Sequence, residues 1–294
     1  WPASFWGKYE YFIRHSAGLG KSPTLNDPDI YDHRNIHCDV LVVGAGISGI
    51  LAAKNAAKNN YKTLLLDEKN ELGGSTIYEN NENNKIDNKI SSEWLKKEIE
   101  ELKNIKNLEI KTRTSVAAYH QYNYLLAREN LTDHLEKKDK INKIRQRLLK
   151  IRAKKVILAT GALERPMVFN NNDRPGIMLS SAIKKYSDFY GVACGRKILF
   201  FTNNDSAYES ALSLNNKGIK VEAVVDIRKQ SETNLEKRVI DAGIKIYWEH
   251  TVVDTSGYKK VNNVSIMKLS NDGTSVTGSK ISISCDCLGV AGGW

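Results

Sequence analysis

Apolar runs alternate with mixed runs in the first part of the chain, and this order predicts strands and helices in turn. Two short apolar runs, DVLVV (39–43) and TLLL (63–66), are typical of strands buried on both faces of a parallel sheet. The segment between them, ISGILAAKNAAKNN, has helical character with small residues first. Together the three segments predict a β-α-β unit.

The second half of the chain repeats this order. Three apolar runs alternate with two helical patterns, in the sequence RKILFFT, SAYESALSLNNKG, IKVEAVVDIR, ETNLEKRVIDAG and IKIYWEH. This alternation predicts a second β-α-β-α-β unit. Residues 251–284 predict hairpin strands, and CDCLGVAGGW (285–294) predicts a last buried strand that runs into glycines.

The region between the two units predicts a helix followed by an antiparallel meander. SSEWLKKEIEELKNI opens with serines and early acidic residues, as a capped helix does. Residues 108–128 are rich in β-branched and aromatic residues, and in 149–154 apolar and basic residues alternate with the period of a half-buried strand. KKVILATG (154–161) predicts another buried strand.

The length of the chain and the order of its elements predict more than one domain. At 294 residues the chain exceeds the usual size of a single domain. We predict an α/β fold in which a second Rossmann-type unit is inserted in a first. The expected parts are an N-terminal arm or linker (1–38), a first dinucleotide-binding domain (39–165 plus 285–294), and an inserted second Rossmann-like domain (166–284).

The predicted arm is aromatic. It holds five large rings within its first eleven residues: Trp1, Phe5, Trp6, Tyr9 and Tyr11. An isolated arm would not keep such groups in water. Two interpretations are open: the rings cover another domain or subunit, or they pack on the core of this chain.

Composition and charge narrow the class of protein. The 44 basic and 34 acidic residues give a net charge of +10, much of it in residues 137–155, where the strand pattern indicates a solvated basic face. No helix-turn-helix, RNA-binding aromatic motif or zinc finger accompanies this charge, so we expect no nucleic-acid partner. No run is long enough to cross a bilayer and no signal peptide is recognised, so we expect a cytoplasmic protein without membrane contact. The start at Trp1 and the end at Trp294 suggest a piece of a longer chain.

A glycine fingerprint, G-x-G-x-x-G, joins the first strand to the first helix. Its first glycine allows a tight turn, its second lets the backbone approach a pyrophosphate, and its third lets the helix lie close to the strand. The helix N-terminus then offers free N–H groups to the phosphates. The predicted site residues of this turn are Gly44, Ala45, Gly46, Ile47, Ser48 and Gly49.

An acidic residue at the end of the second strand is expected to accept hydrogen bonds from a ribose. Asp67 stands 67 − 44 = 23 positions after the first glycine and is the first choice, with Glu68 beside it. A carboxylate here favours NAD or FAD over NADP. We also predict that the turn Gly73, Gly74 and Ser75 and the segment Ala159, Thr160 and Gly161 face the same nucleotide.

The second unit departs from the fingerprint, and no catalytic group is evident. TNNDSAYES has no glycine where a phosphate turn is expected, so we predict that this half keeps the architecture and has lost or altered its nucleotide site. The four cysteines include no C-x-x-C pair, which disfavours a disulfide reductase. The six histidines show no metal-ligand spacing, and we predict neither a metal site nor a catalytic residue.

The motifs DVLVVGAGISGILAA, LLLDEKNELGGS, KKVILATGALERPMVFNNNDRPGIM, TNNDSAYESAL and LGVAGGW, in this order, resemble the α subunit of heterotetrameric sarcosine oxidase. The N-terminal FWGKYEYFIRHSAGLGKSP shares the resemblance. The resemblance implies a flavoprotein-like fold with two dinucleotide-binding domains of the FAD/NAD(P) type. It also implies that NAD is held in the first Rossmann site, by Gly44, Gly46, Gly49, Asp67, Gly73 and Gly74.

The resemblance further implies a reaction shared with other subunits. That family demethylates sarcosine oxidatively to glycine, yielding hydrogen peroxide and either formaldehyde or methylene-tetrahydrofolate. Its β subunit carries FAD, and FMN lies at the α/β boundary, so this piece alone is expected to be inactive towards sarcosine. Two alternatives stay open: the α subunit of a related amino-acid or opine dehydrogenase with FAD in the first site, and a non-catalytic nucleotide-binding scaffold.

Overall fold

A computed structural model describes residues 2–20, 24–78 and 85–294 of the chain. The helices in this part are α1 (Trp6–Ser16), α2 (Ile47–Lys58), α3 (Ser91–Lys103), α4 (Lys137–Lys140), α5 (Ser180–Asp188), α6 (Ser206–Asn216) and α7 (Asn234–Asp241). The strands of the first half are β1 (Ile30–Val43), β2 (Thr63–Leu66), β3 (Lys85–Ile86), β4 (Lys89–Ile90), β5 (Leu108–Lys111), β6 (Thr114–His120), β7 (Tyr124–Asn130) and β8 (Ile144–Leu158). Those of the second half are β9 (Ile177–Leu179), β10 (Lys197–Thr202), β11 (Lys220–Asp226), β12 (Lys245–Trp248), β13 (His250–Ser256), β14 (Asn263–Leu269), β15 (Val276–Ser284) and β16 (Cys287–Ala291).

The first lobe is built on a six-stranded sheet in the order β5-β2-β1-β8-β7-β6. The first four strands of that order are parallel, and β7 and β6 extend the sheet antiparallel. Ile50 of α2 and Trp94 of α3 pack on one face of the sheet, and Leu149 and Ile151 belong to the core on the other. The predicted β-α-β unit is therefore confirmed, and so is an antiparallel meander from β6 to β8. The predicted start of the meander at Leu108 was wrong, because β5 pairs in parallel with β2.

The second lobe contains a five-stranded parallel sheet in the order β12-β11-β10-β16-β9 and a three-stranded antiparallel sheet of β13, β14 and β15. Buried clusters fill both faces of the parallel sheet, one around Phe200 and Tyr208 and the other around Phe201 and Val290. The predicted second β-α-β-α-β unit and the hairpin strands are confirmed.

The last strand does not return to the first lobe. Residues Cys287–Ala291 pair in parallel with β10 on one side and β9 on the other. The assignment of residues 285–294 to the first domain was therefore wrong, and within the described residues the second unit follows the first and is not inserted in it. A short buried strand that ends in glycines is the same pattern in either sheet, so the sequence did not reveal its neighbours.

The N-terminal region is more structured than the predicted arm. Residues Trp6–Ser16 form a helix, and β1 begins at Ile30, nine residues before the predicted start at Asp39. No residue of α1 is buried, and the rings of Phe5, Trp6 and Tyr11 are exposed. These three rings therefore do not pack on the core formed by the described residues, whereas Trp1 lies outside that part of the chain.

The end of β8 is more exposed than the predicted buried strand. The pairing of β8 with β7 stops at Arg152, and within the described residues the end of β8 is paired with β1 alone. Ile157 and Leu158 are 38% and 60% exposed. No helix in the described part of the chain is long and apolar enough to span a membrane.

Candidate nucleotide-binding site

The first fingerprint turn is shaped by two glycines that leave no room for a side chain. Gly44 has φ +97°, and a Cβ there would overlap the carbonyl oxygen of Ala159. A Cβ at Gly49 would overlap the carbonyl oxygen of Gly44. Gly44 thus makes the tight turn and Gly49 lets α2 lie close to the strand end, which are the roles predicted for the first and third glycines of the fingerprint.

Gly46 lies at the mouth of the turn and faces open space. It is the N-cap of α2, and no side chain caps the helix. A Cβ at Gly46 would meet no protein atom within 4 Å. The first N–H groups of α2 therefore border an unfilled region, where a helix N-terminus favours a negatively charged group.

A second glycine turn closes on the first. The backbone N–H of Gly73 donates to the carbonyl oxygen of Ala45 at 2.8 Å. Gly74 has φ +60°, and a Cβ there would lie 2.9 Å from the Cα of Gly46. Only glycine permits this approach without displacing the first turn. The predicted Gly-Gly extension of the site is thus in direct contact with the fingerprint.

Asp67 lies at the end of β2 and supports the turn. Its carboxylate accepts hydrogen bonds from the backbone N–H of Ala45 at 2.6 Å and of Lys69 at 2.8 Å, one on each oxygen. Asp67 is 9% exposed, whereas its neighbour Glu68 is exposed. Each carboxylate oxygen keeps a lone pair for a further donor such as a ribose hydroxyl.

A cleft of about 1260 Å³ runs from the glycine turns of the first lobe to α5 and α6 of the second. Twelve of the fourteen predicted site residues line it: Gly44, Gly46, Ile47, Ser48, Asp67, Glu68, Gly73, Gly74, Ser75, Ala159, Thr160 and Gly161. The other two, Ala45 and Gly49, are buried behind its wall and shape the turn. The fingerprint turn, the Gly73–Gly74 turn and the segment 159–161 therefore face one cavity.

Several cleft residues were not predicted, and most of them come from the other lobe or from distant strands. They include Lys69, Tyr78, Thr114, Ser115, Val116, Ser181, Lys184, Lys185, Ser206, Glu209, Ser210 and Trp294. Lys69, Ser206, Glu209, Ser210 and Trp294 lie within the motifs that carry the family resemblance, but the resemblance assigned none of them to the site. The signal that was available is Lys184, a lysine at a position where helical spacing requires an apolar residue.

In the second lobe, the turn between β10 and α6 is filled by its own side chains. Asn204 accepts from the N–H of Ser206 at 3.0 Å and donates to the carbonyl oxygen of Ala291 at 3.1 Å. Asn203 donates to the carbonyl oxygen of Gly292 at 3.3 Å. Asn203 and Asn204 therefore occupy the turn where glycines would leave space for a pyrophosphate.

An internal carboxylate takes the place of an external anion at this end of the second lobe. Glu164 is 4% exposed and accepts from the N–H of Ser181 at the start of α5 at 2.8 Å. Its other oxygen lies 3.4 Å from the hydroxyl of Ser206 at the start of α6. A buried carboxylate here satisfies the positive ends of both helices.

The end of β11, where a second ribose would be recognised, is also occupied. Asp226 is 1% exposed and pairs with Arg228 at 2.8 Å and with the hydroxyl of Tyr208 at 2.7 Å. Arg228 also pairs with Asp205 at 2.8 Å. Burial and the bond to Asp226 raise the pKa of Tyr208, so its hydroxyl stays a donor. These contacts support the predicted loss or alteration of the second nucleotide site.

The cysteines are remote from the cleft. Burial raises the pKa of the thiol to about 11 for Cys38 and to about 12 for Cys285 and Cys287. Cys194 is partly buried, which raises its pKa as well. No cysteine lines the cleft. The thiols are therefore protonated structural groups with no part in the cleft's chemistry.

Comparison with known proteins gives three curated relatives of the same name, two of which are described here. The chain is 35% identical to the sarcosine oxidase subunit alpha of Rhizobium meliloti (strain 1021) over 295 residues, which is 100% of this chain and 28% of that protein. It is 38% identical to the sarcosine oxidase subunit alpha of Corynebacterium sp. (strain P-1) over 279 residues, which is 94% of this chain and 28% of that protein. The resemblance seen in the sequence is confirmed, and the chain spans a little over a quarter of the length of these relatives.

Solved structures share the fold at lower sequence identity. The L-proline dehydrogenase from P. horikoshii aligns with a TM-score of 0.59 and 22% identity, over 89% of this chain and 43% of that one. The thioredoxin reductase of T. acidophilum aligns with a TM-score of 0.61 and 20% identity, over 87% of this chain and 77% of that one. The predicted flavoprotein-like α/β fold of the FAD/NAD-binding type is confirmed. Because the sequence profile of the pyridine nucleotide-disulphide oxidoreductases also matches residues 38–294, the chain belongs to that family of oxidoreductases.

Proposed function

We propose that this chain is the NAD-binding part of the α subunit of a sarcosine oxidase, which holds NAD in the cleft beside Gly46. The observation that carries the proposal is the open region in front of α2, which a Cβ at Gly46 would enter without meeting the protein. Gly44, Gly49 and Gly74 bring bare backbone to the edge of that region. The near full-length similarity of the chain to two sarcosine oxidase α subunits supports the proposed reaction class.

The residues of the cleft fit a dinucleotide with a diphosphate at its centre. N–H groups at the start of α2 would meet the diphosphate, and Asp67 would accept from a ribose hydroxyl while it holds the turn. A dinucleotide of this kind supplies a nicotinamide that can carry hydride. The task of this chain's own residues is to bind and orient it.

The whole protein would act with other subunits. We propose oxidative demethylation of sarcosine to glycine, with hydrogen peroxide and either formaldehyde or methylene-tetrahydrofolate as the other products. In this proposal FAD lies on the β subunit and FMN at its boundary with α, within a heterotetramer that also has smaller subunits. The chain described here would contribute the NAD site and no catalytic side chain.

The identity of the bound nucleotide tests the proposal. The purified full chain is denatured, and the released small molecules are identified by mass and absorption spectrum. We expect NAD in an amount close to one per chain. Release of FAD from the isolated chain would instead support an amino-acid or opine dehydrogenase α subunit with FAD in the first site, and absence of any nucleotide would contradict both.

A related measurement separates an enzyme subunit from a scaffold. The complex that carries this chain is assayed for hydrogen peroxide production with sarcosine, and glycine serves as the matched control compound. We expect hydrogen peroxide with sarcosine and none with glycine. A complex that retains NAD but shows no sarcosine-dependent peroxide would support a non-catalytic nucleotide-binding scaffold.

A further inference from the structure

Lys184 occupies a core position of α5. The buried residues of this helix are Ser180, Ile183, Lys184 and Ser187, which follow the spacing of a single inward face. Lys184 is 8% exposed, so most of its side chain is enclosed by the second lobe. It also lines the cleft between the lobes, which its ammonium group reaches at the end of a buried stem.

The ammonium group of Lys184 has no partner among the described residues. Neighbouring lysines do have partners. The amine of Lys185 lies 5.4 Å from the ring centre of Tyr78, and that of Lys217 pairs with Asp188 at 2.6 Å. The ammonium therefore borders the open cleft at the end of a buried stem. In this position it is free to pair with an anion that enters the cleft.

The cleft has room for such an anion. Its volume of about 1260 Å³ exceeds the roughly 300–1,000 Å³ that is usual for a small-molecule site. Lys184 approaches it from the second lobe, on the wall that also carries the hydroxyl group of Ser181, while the glycine turns lie on the first lobe. Glu209 on the same wall forms no ion pair with Lys184 in the described structure.

We propose that Lys184 is the cation of a second anion-binding subsite in this cleft, opposite the Gly46 turn, and that the subsite takes a phosphate group. An ammonium with a nearby hydroxyl donor, that of Ser181, suits an anion with several acceptor oxygens. The phosphate has two possible sources, a phosphate of the dinucleotide itself or a separate phosphate monoester. The subsite shares the cleft of the proposed NAD site and to that extent rests on the proposed function.

Titration with inorganic phosphate tests the subsite. The full chain, freed of small molecules, is titrated by calorimetry as the wild type and as the Lys184→Met, Lys184→Arg and Lys237→Met variants. Lys237 is an exposed lysine of α7 outside the cleft, so Lys237→Met is the matched control. We expect phosphate affinity to fall about tenfold or more in Lys184→Met and to change little in the other two.

Thermal unfolding gives a second readout that a purely structural lysine would not show. Methionine has a similar volume and keeps a buried apolar stem, so the melting temperature of Lys184→Met without ligand should equal or exceed that of the wild type. A lower affinity for phosphate together with undiminished stability supports the subsite. Equal phosphate affinity in Lys184→Met and wild type, or no phosphate binding by the wild type, would overturn it.

Repeating the titration with NAD present identifies the source of the phosphate. Competition between phosphate and NAD means that the dinucleotide's own phosphate reaches Lys184, and independent binding means a separate phosphate ester. The two proposals can fail separately. If NAD fails to bind the wild type while phosphate binding still depends on Lys184, the NAD proposal fails and the subsite stands.

Discussion

At the scale of single residues, the three fingerprint glycines meet different surroundings. Gly44 and Gly49 are pressed against backbone, whereas Gly46 borders open space. The sequence spacing predicted all three as site residues, since a strand, three glycines and a helix occur in the required order. It could not predict that Asp67 holds the turn through Ala45, because that bond depends on how two strand ends meet.

Gly46→Val should abolish nucleotide binding and leave the fold intact. The added side chain would project into the region that the diphosphate needs, and its Cβ would have no protein neighbour within 4 Å. Replacing an N-cap glycine by valine costs about 1 kcal/mol of stability. Calorimetry should show no NAD binding, and circular dichroism should show a native spectrum.

Gly49→Val places the same side chain at the other end of the fingerprint, where it should affect the fold itself. Its Cβ would overlap the carbonyl oxygen of Gly44, so α2 must move away from the sheet. We expect a loss of about 3 kcal/mol or more in the free energy of unfolding, measured in urea. Full nucleotide occupancy in Gly46→Val would rule out the assignment of the turn.

Asp67→Ala should weaken nucleotide binding by about 1–3 kcal/mol, because charged hydrogen bonds to the ribose are lost. The same change leaves the buried N–H of Ala45 without its acceptor, so stability should fall as well. Glu68→Ala, at the exposed neighbouring position, should alter neither quantity. A drop in affinity in Glu68→Ala with none in Asp67→Ala would move the ribose contact to Glu68.

At the scale of elements, local patterns predicted most strands and helices, and long-range pairing accounts for what was missed. The polar segment IYDHRNIH extends β1 because residues Ile30–His37 pair with β8, where apolar and basic residues alternate. Nothing in a single strand's own sequence identifies such a partner. The misplacement of Cys287–Ala291 has the same cause, since its partners β10 and β9 are set by tertiary packing.

The hydrogen-bonded side chains at the end of β11 should be important for the stability of the second lobe. Asp226→Ala leaves the Arg228 guanidinium and the Tyr208 hydroxyl without their buried acceptor, which should cost about 1–3 kcal/mol. Asp205→Ala removes the other, 53% exposed partner of Arg228 and should cost about 0–1 kcal/mol. Urea unfolding of both variants measures the difference. Equal losses in the free energy of unfolding would contradict the view that Asp226 is the main acceptor for Arg228 and Tyr208.

Thiol labelling should report the burial of the cysteines and its pH dependence. The folded pKa values of about 11 for Cys38 and about 12 for Cys287 lie above the ordinary value of 9.0, so burial of the neutral thiol stabilises the fold fully below pH 9.0. That contribution is lost as the pH rises towards the folded values. At pH 8 an alkylating agent should modify Cys194 first, which mass spectrometry detects, and Cys194→Ser should then show almost no labelling. Rapid labelling of Cys38 in the native chain would contradict this.

At the scale of the whole molecule, two lobes of similar architecture differ in what their turns contain. The first lobe presents bare backbone at Gly46, and the second fills the equivalent turn with Asn203, Asn204 and Glu164. The sequence predicted this asymmetry from the presence and absence of glycines. It did not predict the cleft wall formed by α5 and α6, because the relative placement of two lobes has no local sequence pattern.

This asymmetry predicts that the chain binds one dinucleotide and not two. Calorimetric titration with NAD should give a stoichiometry of one, and saturation at one hundred times the dissociation constant should raise the free energy of unfolding by about 2.7 kcal/mol. Gly46→Val should abolish both effects, since the second lobe offers no alternative turn. A stoichiometry of two, or residual binding in Gly46→Val at the wild-type affinity, would mean that the side chains of the second turn move aside for a nucleotide. Because those side chains are bonded to the carbonyl oxygens of Ala291 and Gly292, such movement would break the end of β16 and its junction with the cleft.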